Sequence, residues 1–407
     1  MHSVDRWNHL LLAMTRQNKK EVIMRSMAKF VALACLLAVS GCSSLSWLNP
    51  FSSSDKKNQP TPLQEFKSTL AARTLWSADV GKSDIYVFTP AVLDKHVYVA
   101  AANGTLMKLD LVSGRQVWRI DADTSLTAGV GANGNTIAVA GKKGSLIAFD
   151  ADGKRRWKIQ ASSEILTAPA VGFGLVVVRS IDNRVAAYDI ETGVRKWAVD
   201  RPLPPLTLRS VAGIVLTEQA AIVATPGGKL VALAMSTGNL RWEAAVADPK
   251  GATELERVAD VSGTPVLVDN EVCTVAYQGR VGCYDIASGT ARWAKPFSSE
   301  VGVGADQLFL FAVDTTGGVS GFSRNAGSSA WRNDKLLNRR VSTPVSFGRA
   351  VVVGDGFGFM HFLSREDGVF LARLPLDGGQ ISATPVVAGS SLIVQTKTGA
   401  VVAIATE

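Results

Sequence analysis

Two cysteines, Cys273 and Cys283, flank the dipeptide Gln278-Gly279 and could carry thiol chemistry if their sulfurs met. Gln278-Gly279, like Asn103-Gly104, reads as a two-residue hairpin turn. That register pairs Tyr277 with Arg280, sets Cys273 against Tyr284, and sets Cys283 against Thr274. Opposed residues share a face and successive residues alternate, so the sulfurs are predicted to point to opposite faces and stay free, even in a compartment that permits disulfides. Other chemistry finds little to build on. There is no HExxH, no GxSxG and no glycine-rich phosphate loop. His96 and His361, the histidines after residue 41, stand too far apart to form a motif. Gly227-Gly228 and Gly317-Gly318 fall where repeat turns belong. Nothing in the sequence implies a metal or a cofactor, and the chain is read as non-enzymatic. What does recur is an aspartate at the end of an alternating run, Asp110, Asp150, Asp189 and Asp285, each placed to accept backbone N–H bonds two or three residues on and hold a turn.

Those aspartates belong to a phrase the chain repeats: "GTLMKLDLVSGRQVW", "GSLIAFDADGKRRW", "NRVAAYDIETGVRKW", "GKLVALAMSTGNLRW", "GRVGCYDIASGTARW" and "GVSGFSRNAGSSAW". The closing tryptophans are Trp118, Trp157, Trp197, Trp242, Trp293 and Trp331, spaced by roughly 40 residues, the mark of a repeat architecture. Gly114, Gly193, Gly238 and Gly289 can take φ > 0 at the end of each turn. Thr/Ala-Pro-x-Val, as at 167–171, 343–345 and 384–386, starts an inner strand, and "LVVVR" at 175–179 reads as a strand buried on both faces. Two degenerate copies complete the set: "GFMHFLSREDGVFLA" puts Ala372 where tryptophan should stand, and "GAVVAIA" at 399–405 lacks a following tryptophan strand. Trp76, in "RTLWSADVG", has the opposite defect, an outer strand with none before it. The two halves fit, so the C-terminal strand pairs with the strand around Trp76 and closes a ring without free edges. The fold predicted is an all-β, eight-bladed propeller over residues 71–407, its tryptophans filling the wedges between blades.

The composition agrees with one large all-β domain: 407 residues, 47% hydrophobic, 19% charged and 37 Gly. The first 41 residues stand apart. "MRSMAKFVALACLLAVSGC" has basic Arg25 and Lys29, an apolar run from Phe30 to Val39 too short to span a bilayer, and small residues before Cys42. Translation is expected to begin at Met24 or Met27. Val39-Ser40-Gly41-Cys42 resembles a bacterial lipobox, which implies cleavage after Gly41 and acylation of Cys42; Ser43 in the next position implies the outer membrane. Several acyl chains make a stable anchor. Residues 42–70, rich in Ser and Pro from Ser43 to Pro62, read as a flexible tether. Removing residues 1–41 leaves 37 basic and 33 acidic side chains, a net charge of +4. With no basic block interleaved with aromatics, nucleic acid is not expected as a partner.

The tryptophan spacing breaks in two places. Trp197 to Trp242 and Trp242 to Trp293 are longer than the rest, and the excess falls between an outer strand and the next inner strand. In up-down blades these crossovers share one face, and these two join consecutive blades. Together they offer Leu206 and Leu208 in a Pro-stiffened loop, with Arg209, Arg257, Glu254, Glu256 and Asp260. Apolar anchors beside charges suit a protein interface, and long loops often carry function. The same residues also allow the leucines to be buried loop packing and Arg209 to pair internally with Asp260.

The phrase resembles the tryptophan-docked repeat of the quinoprotein superfamily. Its dehydrogenases are longer and carry an adjacent Cys-Cys pair, which this chain lacks. The lipobox, tether and eight blades together resemble the BamB family, propeller lipoproteins of the outer-membrane β-barrel assembly machinery. "LPPLTLRS" at 203–210 and "GATELERVADVSGTP" at 251–265 carry that resemblance beyond the generic repeat. It implies a scaffold on the periplasmic side of the outer membrane that docks on the periplasmic domains of BamA, with unfolded outer-membrane proteins as clients. The partner-facing residues it implies are Leu206, Leu208 and Arg209, joined by Asp260; the family's second acid falls on Ser262. The competing reading is a periplasmic propeller that binds another envelope protein.

Overall fold

The computed structural model describes residues 58–208 and 212–407. Cys42, its lipobox and Arg209 lie outside the described residues. The compact unit runs from Pro60 to Glu407 and contains eight four-stranded antiparallel sheets. Seven are built from consecutive strands. In the eighth the order is Ala72–Asp79, Ala400–Thr406, Ser391–Gln395, Val386–Ala388, so the first and last strands of the described residues meet in one blade. Trp76 lies opposite Ala403 in that pairing, which closes the ring as the split repeat requires. Buried side chains gather in eight clusters, each shared by adjacent blades: Ile147 and Phe149 pack with Tyr98 and Leu106, and Ala148 and Trp157 pack with Val176 and Tyr188.

The repeated phrase is a docking code between blades. Each indole reaches into the next blade and donates to a backbone carbonyl just past its turn-holding residue. Trp157 Nε1 donates to Ile190 O at 3.0 Å, Trp197 to Met235 O at 2.7 Å and Trp331 to Arg365 O at 2.7 Å. Trp76, Trp118, Trp242 and Trp293 do the same to Leu111, Ala151, Ile286 and Arg324. The carboxylates hold the turns as their spacing suggests: Asp189 Oδ1 accepts from Thr192 N at 2.9 Å and Asp285 Oδ1 from Ser288 N at 3.0 Å. A register shift precedes each tryptophan, as where Ala187 faces Trp197 but Tyr188 faces Arg195, and this bulge turns the indole toward its dock.

Ala372 now has a reason. The blade that follows it is the closing one, whose third and fourth strands are Ala400–Thr406 and Ala72–Asp79, so no turn joins them to receive an indole. Residues 60–70 fill that side instead, and the packed unit begins before residue 71. Thr61 N donates to Leu337 O at 2.9 Å, Thr69 N to Leu371 O at 2.9 Å, and Leu70 is buried beside Ala372. The Phe66 ring stacks on Phe370 at 5.3 Å, and the Arg373 guanidinium lies 5.0 Å above Phe66.

The free thiols expected at Cys273 and Cys283 are not found: the two form a disulfide. The hairpin turn is one residue longer than a two-residue turn. Cys273 opposes Cys283 and Val275 opposes Val281, with Gln278 at the centre at φ 48°. Tyr277 and Arg280 do not pair with each other; their N–H groups donate to Asp260 O at 2.8 Å and Val246 O at 3.0 Å. The same offset holds at Asn103-Gly104, where Ala100 opposes Leu106.

Candidate functional site

The two long crossovers emerge from the outer strands Arg195–Asp200 and Leu240–Ala245 and enter the inner strands Ile214–Leu216 and Val261–Val268. Both lie on the face that carries the outer-to-inner connections. The first exposes its leucines: Leu206 is 46% and Leu208 36% accessible. The second exposes Leu255, at 72%. The leucines are therefore not buried loop packing.

Asp260 is placed differently from its expected role. It is 3% exposed and acts inward. Its Oδ2 accepts from Leu208 N at 2.7 Å and its Oδ1 from Gly227 N at 3.1 Å. One carboxylate thus pins the leucine loop to the turn of the neighbouring blade, and charge-assisted bonds of this kind are among the stronger ones. Pro226 and Asp260 also form an isolated bridge. Arg257 stays at the surface but is spent on its own loop: Nε donates to Gly251 O at 3.1 Å, Nη2 to Ala252 O at 3.2 Å, and Nη1 to Glu254 at 3.2 Å. Glu256 accepts from Thr253 N and Ala252 N, bonds that hold its carboxyl below the ordinary range. Ser262, at the position of the second acid, is buried, and its hydroxyl donates to Ser299 O at 2.8 Å. A carboxylate could not make that donation.

Beneath the leucine loop lies a cavity of about 220 Å³, lined by Thr207, Ala212, Pro226, Asp260, Ser180 and Arg179. A second hollow of about 290 Å³ lies against the start of the loop, with Arg201, Leu203, Pro204 and Glu243 in its wall. Arg179 ends the strand Leu175–Arg179, and nothing in its local sequence marks it. Its Nε is buried without a hydrogen-bond partner. Burial pushes the guanidinium down to about 10, with the nearby Asp260 charge opposing.

The remaining chemistry-bearing groups serve the fold. Glu271 lies near Cys273 and Cys283, but the bonded sulfurs offer no thiolate, and Glu271 pairs with Arg324 at 3.0 Å. His96 and His361 sit in different blades. His361 is buried with Nε2 3.0 Å from Asp355 Oδ2, an oxygen that also takes Arg339 Nε at 2.8 Å.

A ring of eight sheets, joined by seven docked tryptophans and with its longest loops and exposed leucines on one face, defines a quinoprotein-like β-propeller. Quinohemoprotein alcohol dehydrogenase from Comamonas testosteroni shares that fold, with a TM-score of 0.67 at 15% identity over 82% of this chain and 76% of that one. The crystal structure of BamB from Moraxella catarrhalis superposes with a TM-score of 0.76 at 24% identity, covering 82% of this chain and all of that one. The family model described as outer membrane protein assembly factor BamB matches residues 69–125, 102–333 and 316–407. The protein of that name from Burkholderia pseudomallei is 44% identical over 381 residues, covering 93% of this chain and 98% of its own. The Bordetella pertussis protein is 44% identical over 373 residues, covering 91% and 95%. The chain belongs to the BamB family of outer-membrane protein assembly factors.

Proposed function

We propose that this protein is a non-enzymatic scaffold of the outer-membrane β-barrel assembly complex. It is held by acylated Cys42 on the periplasmic side of the outer membrane and docks on the periplasmic domains of BamA. The observation that carries the reading is the exposed pair Leu206 and Leu208, held out on a loop whose backbone Asp260 clamps from below. A pre-ordered apolar ridge loses little conformational entropy on binding. Arg209, next in the chain, supplies the cation for an acidic group of the partner. The scaffold brings unfolded outer-membrane proteins to BamA by position, its outer strands offering edges for extended segments.

The test is co-purification from cell envelopes. The tagged wild type should recover BamA. Cys42→Ala should lose palmitate labelling and membrane association. Recovery of a different envelope protein without BamA would refute the docking assignment, and palmitate labelling of Cys42→Ala would refute the anchor.

A further inference from the structure

Arg179 has no evident purpose inside the fold. A guanidinium carries five N–H donors and cannot be discharged at neutral pH, so a buried one is normally paired. Here Nε is sealed from solvent and makes no hydrogen bond, and although the backbone pairs with Val185, no ion pair or hydrogen bond of the Arg179 side chain occurs among the described residues. The Asp260 carboxylate opposes the shift of Arg179 but has an oxygen on each of two backbone N–H groups, those of Leu208 and Gly227. A half-buried guanidinium whose Nε is sealed without a partner calls for a reason.

The surroundings supply one. Arg179 lines the cavity of about 220 Å³ under Thr207, on the same face as the exposed leucines. Leu166, Ile181 and Pro226 give it apolar walls, while Thr167, Ser180 and Thr207 place hydroxyls among them. Walls of that kind suit a short aliphatic stem that ends in a polar group. A planar guanidinium matches a carboxylate in charge and in geometry, two N–H donors to two oxygens. The space would hold several waters, so a single acidic side chain fits without displacing protein atoms.

We propose that this cavity is a receptor for one acidic side chain, aspartate or glutamate, of the docking partner, with the Arg179 guanidinium binding its carboxylate below the leucine ridge. The identity of the donor rests on the docking reading above; the carboxylate chemistry of the cavity does not. Arg179 is only partly exposed, so binding would give a half-buried cation its partner, and the contact would gain more than a fully exposed pair of equal geometry. Asp260 takes the matching role of a fixed support: its two oxygens hold the Leu208 and Gly227 N–H groups beside the cavity.

Two measurements on the full chain in detergent test this. In the first, the Arg179 Nε–H resonance, assigned by its loss in Arg179→Met, is followed during titration with sodium acetate, with sodium chloride as the ionic-strength control. A saturable shift in acetate alone is expected; no shift, or an equal shift in chloride, overturns the site. In the second, affinity for the purified periplasmic domains of BamA is compared across variants. Arg179→Met, which keeps the apolar stem, should weaken binding about tenfold or more and melt no lower than wild type, because it removes a half-buried cation and breaks no hydrogen bond. Arg179→Lys should fall between the two. Wild-type affinity in Arg179→Met overturns the assigned occupant, and a much lower melting temperature overturns it too, by making Arg179 an internal partner of Asp260. Should wild type itself fail to bind BamA while acetate still shifts Arg179, the docking reading and its occupant fall and the carboxylate site stands.

Discussion

The ring of Trp157 lies so close to Gly193 in the next blade that a Cβ on that glycine would stand 2.8 Å from Cδ2 of the indole. Gly193 also sits at φ 71°, so it meets two demands at once: a left-handed backbone and a flat seat for the tryptophan. Gly134, at φ 55°, has the first demand without the second, since nothing lies within 4 Å of its missing Cβ. Alanine at either position should cost about 1–2 kcal/mol of backbone strain. Gly193→Ala should cost a further 1–3 kcal/mol or so for pushing the indole from its seat. Thermal melts of both variants measure the difference, and equal losses would show that the close approach carries no energy.

Cys273 and Cys283 face each other across one hairpin, ten positions apart, in the core between two blades. Replacing both by alanine should lower stability by about 2–4 kcal/mol, the usual range for a native disulfide. Protein purified from the periplasm, denatured without reductant and treated with an alkylating agent should show neither cysteine labelled. Labelling of both would mean that the bond does not form in the cell.

Asp260→Ala should act through the loop rather than through a lost surface charge. It frees the Leu208 and Gly227 N–H groups, both held by the one buried carboxylate, so a loss of about 2–4 kcal/mol is expected. Limited proteolysis within 201–208 should speed up in the same variant. Wild-type melting together with wild-type proteolysis would return Asp260 to the surface role that its sequence suggested.

How far the sequence reached follows from how local each cause is. Trp76, the split repeat and the turn aspartates were legible because the spacing of one phrase determines blade, dock and closure. Ala372 was legible as an exception, but its cause was not: the missing turn is visible only once the termini share a sheet. The disulfide turned on one residue of hairpin length, and Gln278 adopts a positive φ that its type does not advertise. Asp260 reads as a charged loop residue because the groups it satisfies, Leu208 and Gly227, come from distant repeats. Arg179 ends a strand that looks like core, and only the structure shows that it lines a cavity with its Nε unpartnered.

Acidification should weaken the seventh blade in two stages. Burial pushes the His361 imidazole below its ordinary pKa, with Asp355 opposing, so the folded protein holds it neutral. A depressed folded pKa gives stability that is complete above the unfolded value of 6.5 and declines as the pH falls below it. Burial also works to raise Asp355, but hydrogen bonds from His361 and from the Phe359 and Phe357 N–H groups outweigh it and hold the carboxyl below 3.8, so its share is lost only in stronger acid. The melting temperature of wild type should therefore drop on going from pH 7 to pH 5.5, roughly the window where a histidine titrates. His361→Gln should flatten that drop; an unchanged slope would place the sensitivity elsewhere.

Leu208 separates the two parts its residue plays. Its N–H holds the loop through Asp260, while its side chain, 36% accessible, stands at the surface. Leu208→Ala keeps the N–H and removes the apolar anchor. Folding should change by about 0.5 kcal/mol or less, as at most surface positions. Affinity for the periplasmic domains of BamA should fall by about 1–2 kcal/mol, the scale of an apolar side chain returned to water. Leu208→Pro removes the N–H as well as the side chain, so it should release the loop from Asp260, expose 201–208 to protease and abolish binding. Leu206→Ala, 46% accessible, should behave like Leu208→Ala. Binding assays run beside melts on the three variants give the answer. If both alanine variants bind as wild type while Leu208→Pro still opens the loop, the clamp is structural and BamA docks on another part of the ring.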